Sequence, residues 1–167
     1  VVVDEAIALQ WRELYGQWRE PVRRYVEMLG LEEAEAEDVT QETFLALLHH
    51  LREGKPQDNL RGWVFRVAGN QARRRFRRTV ETEMADLVVA DERPSPEEQA
   101  IRRREHEQMG RIFRALPETE RHCLLLRAEG LSYREIAAAM EIPLSKVAAC
   151  LTRGLERLAV VTRKGGR

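Results

Sequence analysis

Hydrophobic residues recur along this chain at spacings of three and four, the period of a helix face, without the sustained alternation of a half-buried strand. Ile7, Trp11, Leu14, Tyr15 and Trp18 share one helical face, and Val22, Tyr25, Val26 and Leu29 carry a stripe on to Gly30. Pro21 lies between the two runs and is expected to restart the helix, because a proline inside a helix removes a backbone hydrogen bond. Val39, Phe44, Leu47, Leu48 and Leu51 predict a second amphipathic helix over 33–51, and the breakers in 53–59 predict a loop after it. A third helix is predicted over 60–78. The stretch 79–96 is acidic, ends in Pro94-Ser95-Pro96 and has no sustained period, which is the composition of a linker. Helical segments over 97–115, 118–129, 132–140 and 144–161 follow, and the tail 163–167 is expected to fray. The pattern therefore predicts an all-α protein: two small helical domains, 1–78 and 97–167, joined by an acidic linker, the second a four-helix domain.

The most specific local signal lies in 131–147. Ser132 with Glu135 three residues on forms a capping box, in which each side chain satisfies the other residue's backbone N–H. Ile136, Ala137 and Met140 give a short helix one apolar face, with small alanines where a second helix approaches. Ile142 plugs the turn, and Pro143 opens the next helix at a position where its missing N–H costs nothing. Val147, Leu151, Leu155 and Leu158 extend that helix as a buried stripe. On the wheel Gly154 also points inward, with Cys150 and Leu155 at the edges. This is the grammar of a helix-turn-helix, whose second helix can lie in the DNA major groove, although an ordinary helical hairpin shares much of it.

Charge sharpens the picture. The chain carries 28 basic and 28 acidic residues, so it is no generic polyanion binder, but the signs are segregated. Residues 31–42 hold six acids and no base, 61–78 hold seven arginines and no acid, and 79–100 hold seven acids against Arg93 alone. On helix 60–78, Leu60, Val64, Val67 and Gln71 cluster on one side, flanked by Trp63 and Ala68. Arg66, Asn70, Arg73 and Arg77 form a stripe elsewhere, suited to neutralising phosphates and reading a base edge. Phe65 and Phe76 fall on a third stripe with little evident reason to be buried; stacking on unpaired bases competes there with packing under the preceding loop, and packing is favoured.

No run approaches the roughly 20 apolar residues of a membrane span, and no secretory signal is visible. Cys123 and Cys150 are expected to be small buried hydrophobes in a reducing cytosol rather than metal ligands. His49, His50 and His122 are expected on the surface or in helix packing. No catalytic constellation, metal site or cofactor-binding motif is expected.

Several segments together resemble the extracytoplasmic-function sigma factors, the small two-domain initiation subunits of bacterial RNA polymerase. Ala36-Glu37-Asp38-Val39-Thr40-Gln41-Glu42-Thr43-Phe44 is similar to a signature of the family's second conserved region, and Trp63-Val64-Phe65-Arg66-Val67-Ala68-Gly69-Asn70 to its promoter-melting helix. Ala115-Leu116-Pro117-Glu118 and Leu124-Leu125-Leu126-Arg127 resemble the lead-in to its fourth region. The resemblance implies polymerase binding through Asp38, Gln41, Glu42 and Phe44 (to the beta-prime coiled coil, with the beta flap as a second contact), and −10 contacts from Trp63, Arg66, Asn70, Arg73, Arg74 and Arg77. It implies −35 contacts from Ser145, Lys146, Ala149, Thr152 and Arg153, an anti-sigma factor as a further partner, no membrane insertion, and action in the cytoplasm. Two departures stand out. Glu141 occupies the turn position where the family usually has Gly, and the recognition helix has lost a characteristic Arg at Cys150. Each unit is expected to expose its binding face. A helix-turn-helix regulator acting without polymerase, or a sigma-derived protein–protein adaptor, are the competing readings; both fit the second unit, and the first leaves the acidic patch unexplained.

Overall fold

The computed structural model describes residues 2–83 and 111–164. The helices are α1 (Val2–Met28), α2 (Glu33–Arg52), α3 (Leu60–Glu83), α4 (Glu118–Ala128), α5 (Tyr133–Met140) and α6 (Leu144–Lys164). Residues 111–115 are also helical, the end of the segment expected over 97–115, and no strand occurs among the described residues. The remainder of the expected linker, residues 97–110, the tail 165–167 and the Phe76 side chain lie outside the described residues.

Two expectations need correction at the level of elements. Helix α1 runs unbroken through Pro21. The lost backbone bond is outweighed by what the continuous helix buries, since Val22, Tyr25 and Val26 are all in the core. Helix α3 continues five residues past its expected end at Arg78, to Glu83: a polar, acidic composition does not stop a helix that has no Pro or Gly in its way.

In the first unit α1, α2 and α3 pack on Phe44, Leu47, Val64, Phe65 and Ala68. Trp11 and Tyr15 close one end around Phe44, and the Trp11 indole N–H donates to the Phe44 carbonyl at 2.8 Å. Gly69 sits close to α1: a Cβ there would stand 3.0 Å from the Tyr25 hydroxyl, a tight contact.

The second unit is organised by Leu126, Leu131, Ile136, Val147 and Leu151, all buried. The capping box at α5 is present as read from sequence: the Glu135 N–H donates to Ser132 Oγ at 3.2 Å, and the Ser132 N–H to Glu135 Oε2 at 2.7 Å. Replacing Ser132 by Ala is expected to cost about 1 kcal/mol. Glu141 ends α5 in the left-handed region, φ 54° and ψ 43°, a conformation that costs a side-chain-bearing residue on the order of 1 kcal/mol relative to glycine. The recognition helix α6 buries Val147, Cys150, Leu151 and Gly154. A Cβ on Gly154 would meet Leu124 Cδ1 at 2.8 Å, so α4 and α6 pack closely at this glycine and a larger residue would have to displace the Leu124 side chain. Leu155, expected at the edge of the buried stripe, is 58% exposed: each four-residue step carries the stripe about 40° further round, past the edge of a narrow contact.

The largest difference from expectation concerns the relation of the units. They do not stand apart with open faces. α5 lies along α3, and α4 reaches α1, so that the buried apolar residues of both units belong to one contiguous cluster.

Candidate functional site

Three surfaces carry the candidate chemistry. The first is the outer edge of α2. Asp38, Gln41 and Glu42 are exposed there, within little more than one turn, held up by Val39, Thr43 and Phe44 on the buried side. Arg75 of α3 reaches across to both carboxylates, 3.4 Å from Asp38 Oδ2 and in close contact with Glu42 Oε1. Gln41 donates to Glu37 Oε1 at 3.3 Å. Glu37 also accepts from Arg19 on both oxygens, and the Arg19 bond, then that of Gln41, lowers its pKa below the usual carboxylate range. The edge is thus an ordered array of acceptors and an amide. Phe44 is not part of it. At 1% exposure, between Trp11 and Tyr15, it is a core residue, and its place in the sequence pattern reflects packing.

The second surface is α3. Its apolar side buries Val64, Phe65, Ala68 and Ala72. Phe65 has no exposure at all and packs edge-on against Tyr25, centroids 5.5 Å apart, so packing rather than base stacking accounts for it. Asn70, Arg74 and Arg77 are exposed, while Arg66 and Arg73 are half-buried. Trp63 is half-buried too, its ring 4.3 Å from the His50 imidazole, which bonds to the Pro56 carbonyl at 2.8 Å. This packing ties the 53–59 loop to the start of α3.

What sequence reasoning missed is that the remaining contacts of α3 are made by the other unit. Arg66 Nη1 lies 3.0 Å from Glu141 Oε1. Arg61 Nη2 donates to the Glu129 carbonyl at 2.7 Å and Nη1 to that of Gly130 at 3.4 Å, a cation at the carbonyl end of α4. Asn59, itself at φ 55°, accepts from the Gly62 N–H and donates to the Arg134 carbonyl at 3.2 Å. Arg24 forms a two-bond pair with Glu129. At the centre Tyr25 Oη and His122 Nδ1 are 3.1 Å apart in a buried contact. Burial, and then the charge of Arg73, push His122 down to about 4, and burial pushes the Tyr25 phenol up. The pair is therefore a neutral imidazole against an intact hydroxyl. The only sequence signal for this seam was Glu141, a side chain where the turn favours none.

The third surface is α6. Ser145, Lys146, Ala149, Thr152 and Arg153 are all exposed. Thr152 spends its hydroxyl on the Ala148 carbonyl at 2.9 Å. Arg153 is turned back toward the buried Glu120, its Nε 3.5 Å from Oε1, and toward Cys150 Sγ at 3.9 Å. Lys146 is thus the one outward cation in this set not engaged by Glu120. Cys123 and Cys150 are both buried thiols, and burial pushes Cys123 up to about 12, as expected of inert core cysteines. Among the described residues no group of His, Cys, Asp or Glu is arranged to hold a metal ion, and no helix is long and apolar enough to cross a membrane.

Comparison with known proteins gives these surfaces a common context. Residues 14–82 match the family model for sigma-70 region 2 and residues 106–158 that for sigma-70 region 4. The chain is 32% identical over 162 residues to the ECF RNA polymerase sigma factor SigE of Mycolicibacterium smegmatis, covering 93% of this chain and 62% of that protein. It is 30% identical over 144 residues to the RNA polymerase sigma factor CnrH of Cupriavidus metallidurans, covering 79% of this chain and 75% of that one. Among solved structures, CnrH in complex with the cytosolic domain of CnrY superposes with a TM-score of 0.65 at 23% identity, over 97% of this chain and 98% of that one. The sigma factor RpoE in complex with the anti-sigma factor NepR from Bartonella quintana gives a TM-score of 0.64 at 19% identity, over 91% and 95%. The all-α, two-unit fold is shared with both. With both sigma-70 regions present in order, and relatives matched across most of its length, the chain belongs to the extracytoplasmic-function group of the sigma-70 family of transcription initiation factors.

Proposed function

We propose that this protein binds core RNA polymerase in the cytoplasm and directs it to specific promoters. The carrying observation is that one unit sets an ordered acidic edge (Asp38, Gln41, Glu42) beside an arginine-rich helix, and that a capped helix-turn-helix follows in the same chain. In this reading the α2 edge docks on the beta-prime coiled coil of polymerase. Asn70, Arg73, Arg74 and Arg77, with Arg66, hold −10 DNA, and Trp63 fixes the 53–59 loop that borders it. The second unit contacts the beta flap and places Ser145, Lys146, Ala149 and Thr152 at −35 DNA. Arg153 serves there only if it leaves Glu120. Direct readout by so few donors is thin, so −35 discrimination should reach about 1–3 kcal/mol per contacted base at few positions. Both solved neighbours are complexes, one with the cytosolic domain of CnrY and one with an anti-sigma factor. An anti-sigma protein is accordingly the regulatory partner proposed for this chain.

A repressor acting without polymerase gives the α2 edge no role, and nothing in the geometry favours it over the sigma reading. Run-off transcription with core polymerase on a promoter library is the test. The wild-type chain should yield discrete promoter-dependent transcripts. Asp38→Arg combined with Gln41→Ala should weaken core binding at least tenfold, about 1.4 kcal/mol, with native circular dichroism. Unchanged core affinity in that variant removes the α2 edge from the interface.

A further inference from the structure

Two non-glycine residues among those described adopt a left-handed backbone, Asn59 at φ 55° and Glu141 at φ 54°. They lie in different units, 82 positions apart in sequence, yet both send their side chains across the same seam. Asn59 Nδ2 donates to the Arg134 carbonyl, and the Glu141 carboxylate meets Arg66. Strained positions of this kind persist where surrounding contacts over-determine them, and they gather at clamps and switches. Between them the helices approach so closely that a Cβ on Gly62 would stand 2.7 Å from the Glu135 carbonyl oxygen, a backbone atom with nowhere to go. Arg61 closes the same edge on the carbonyls of Glu129 and Gly130.

We propose that this seam is an autoinhibitory latch. The closed chain holds its own helix-turn-helix turn against α3, with the Glu141 carboxylate occupying the position on Arg66 that a DNA phosphate would take. The inference rests on the reading of α3 as a DNA-binding helix; its structural half, that these residues keep the units closed, stands separately. A carboxylate and a phosphate compete for the same guanidinium, so DNA and the latch exclude one another at Arg66. The apolar part of the seam, around Tyr25 and His122, supplies the contact area. The polar tethers set its register. Because each of the tethers at Arg66 and Arg24 has one exposed partner (Glu141 and Arg24), the closed state should loosen as salt rises.

The test uses the full chain and two variants at the seam. Glu141→Gly removes the carboxylate and places glycine where the backbone is left-handed. Gly62→Ala changes no charge and puts a Cβ 2.7 Å from both the Glu135 carbonyl oxygen and Asn59 Oδ1, so it disturbs the seam at its backbone contact and at the Asn59 tether together. Small-angle scattering reads closure, and titrations with core polymerase and with a single-stranded −10 oligonucleotide read binding. Both variants should expand the free chain relative to wild type with unchanged far-ultraviolet circular dichroism. Both should also bind each probe about five- to tenfold more tightly, as expected when a binding-competent fraction near a tenth becomes the majority. A gain shared by Gly62→Ala cannot come from removing a negative charge near DNA. Variants that stay as compact as wild type show that these residues are not the latch. Variants that expand without binding either probe more tightly than wild type show that the seam does not inhibit. If wild type and both expanded variants bind neither probe at all, the sigma-factor reading of the surfaces falls, and the inhibitory role with it.

Discussion

The two helices that carry candidate DNA contacts, α3 and α6, divide charge and access between them. α3 has the arginines, yet the other unit lies along it, and Arg61 and Arg66 are engaged there. α6 presents its outward residues fully exposed, yet among the five candidate contacts it offers one lysine beside an arginine held by Glu120. In the proposed reading, charge is thus concentrated on the helix that is partly covered, at Arg61 and Arg66, while the helix with the more open outward face carries few cations.

The comparison can be broken most severely at Phe65. As the core anchor of α3, Phe65→Ala should destabilise the first unit by about 3–5 kcal/mol, read as a lower urea midpoint. Full stability with lost binding to single-stranded DNA would instead make it a base-stacking residue, and α3 would be far less covered than it looks.

The seal behind α3 gives the next effect. His122 is faced by Tyr25 from α1, by Arg73 from α3, and by Glu118 and Arg121 on or beside its own turn. Its pKa falls from 6.5 to about 4 on folding, so the unfolded chain binds the proton more readily. Stability from the neutral imidazole is complete above pH 6.5 and declines as pH falls toward 4, on the order of 3 kcal/mol in all. Urea midpoints for wild type and His122→Gln should converge across that window. Parallel curves would show that His122 takes up its proton without disturbing the seam.

The smallest effect separates the arginines themselves. Arg77→Ala should lower the slope of log affinity against log salt by about 0.9 on duplex promoter DNA, one phosphate contact. Arg153→Ala should leave the slope unchanged, because that guanidinium is directed to Glu120. Equal changes from both would mean that α6 grips DNA as α3 does.

The sequence by itself determined the helices, the capping box at Ser132, the helix-turn-helix, the inward set Val147, Leu151 and Gly154, and the buried cysteines. Each of these is written in residues a few positions apart, where 3.6-residue periodicity and capping chemistry act directly. It also marked Glu141 as a residue in an unfavourable place without saying why. Only the tertiary structure decided that Phe44 lies too deep to share the α2 edge, that Phe65 packs against Tyr25, that the exposed Arg153 reaches toward Glu120, and that Glu141 answers Arg66 across 75 positions. A wheel orders side chains around one axis but cannot say which neighbour covers a face. That choice is made by shape and charge between elements distant in sequence, and here it set one unit of the chain against the other.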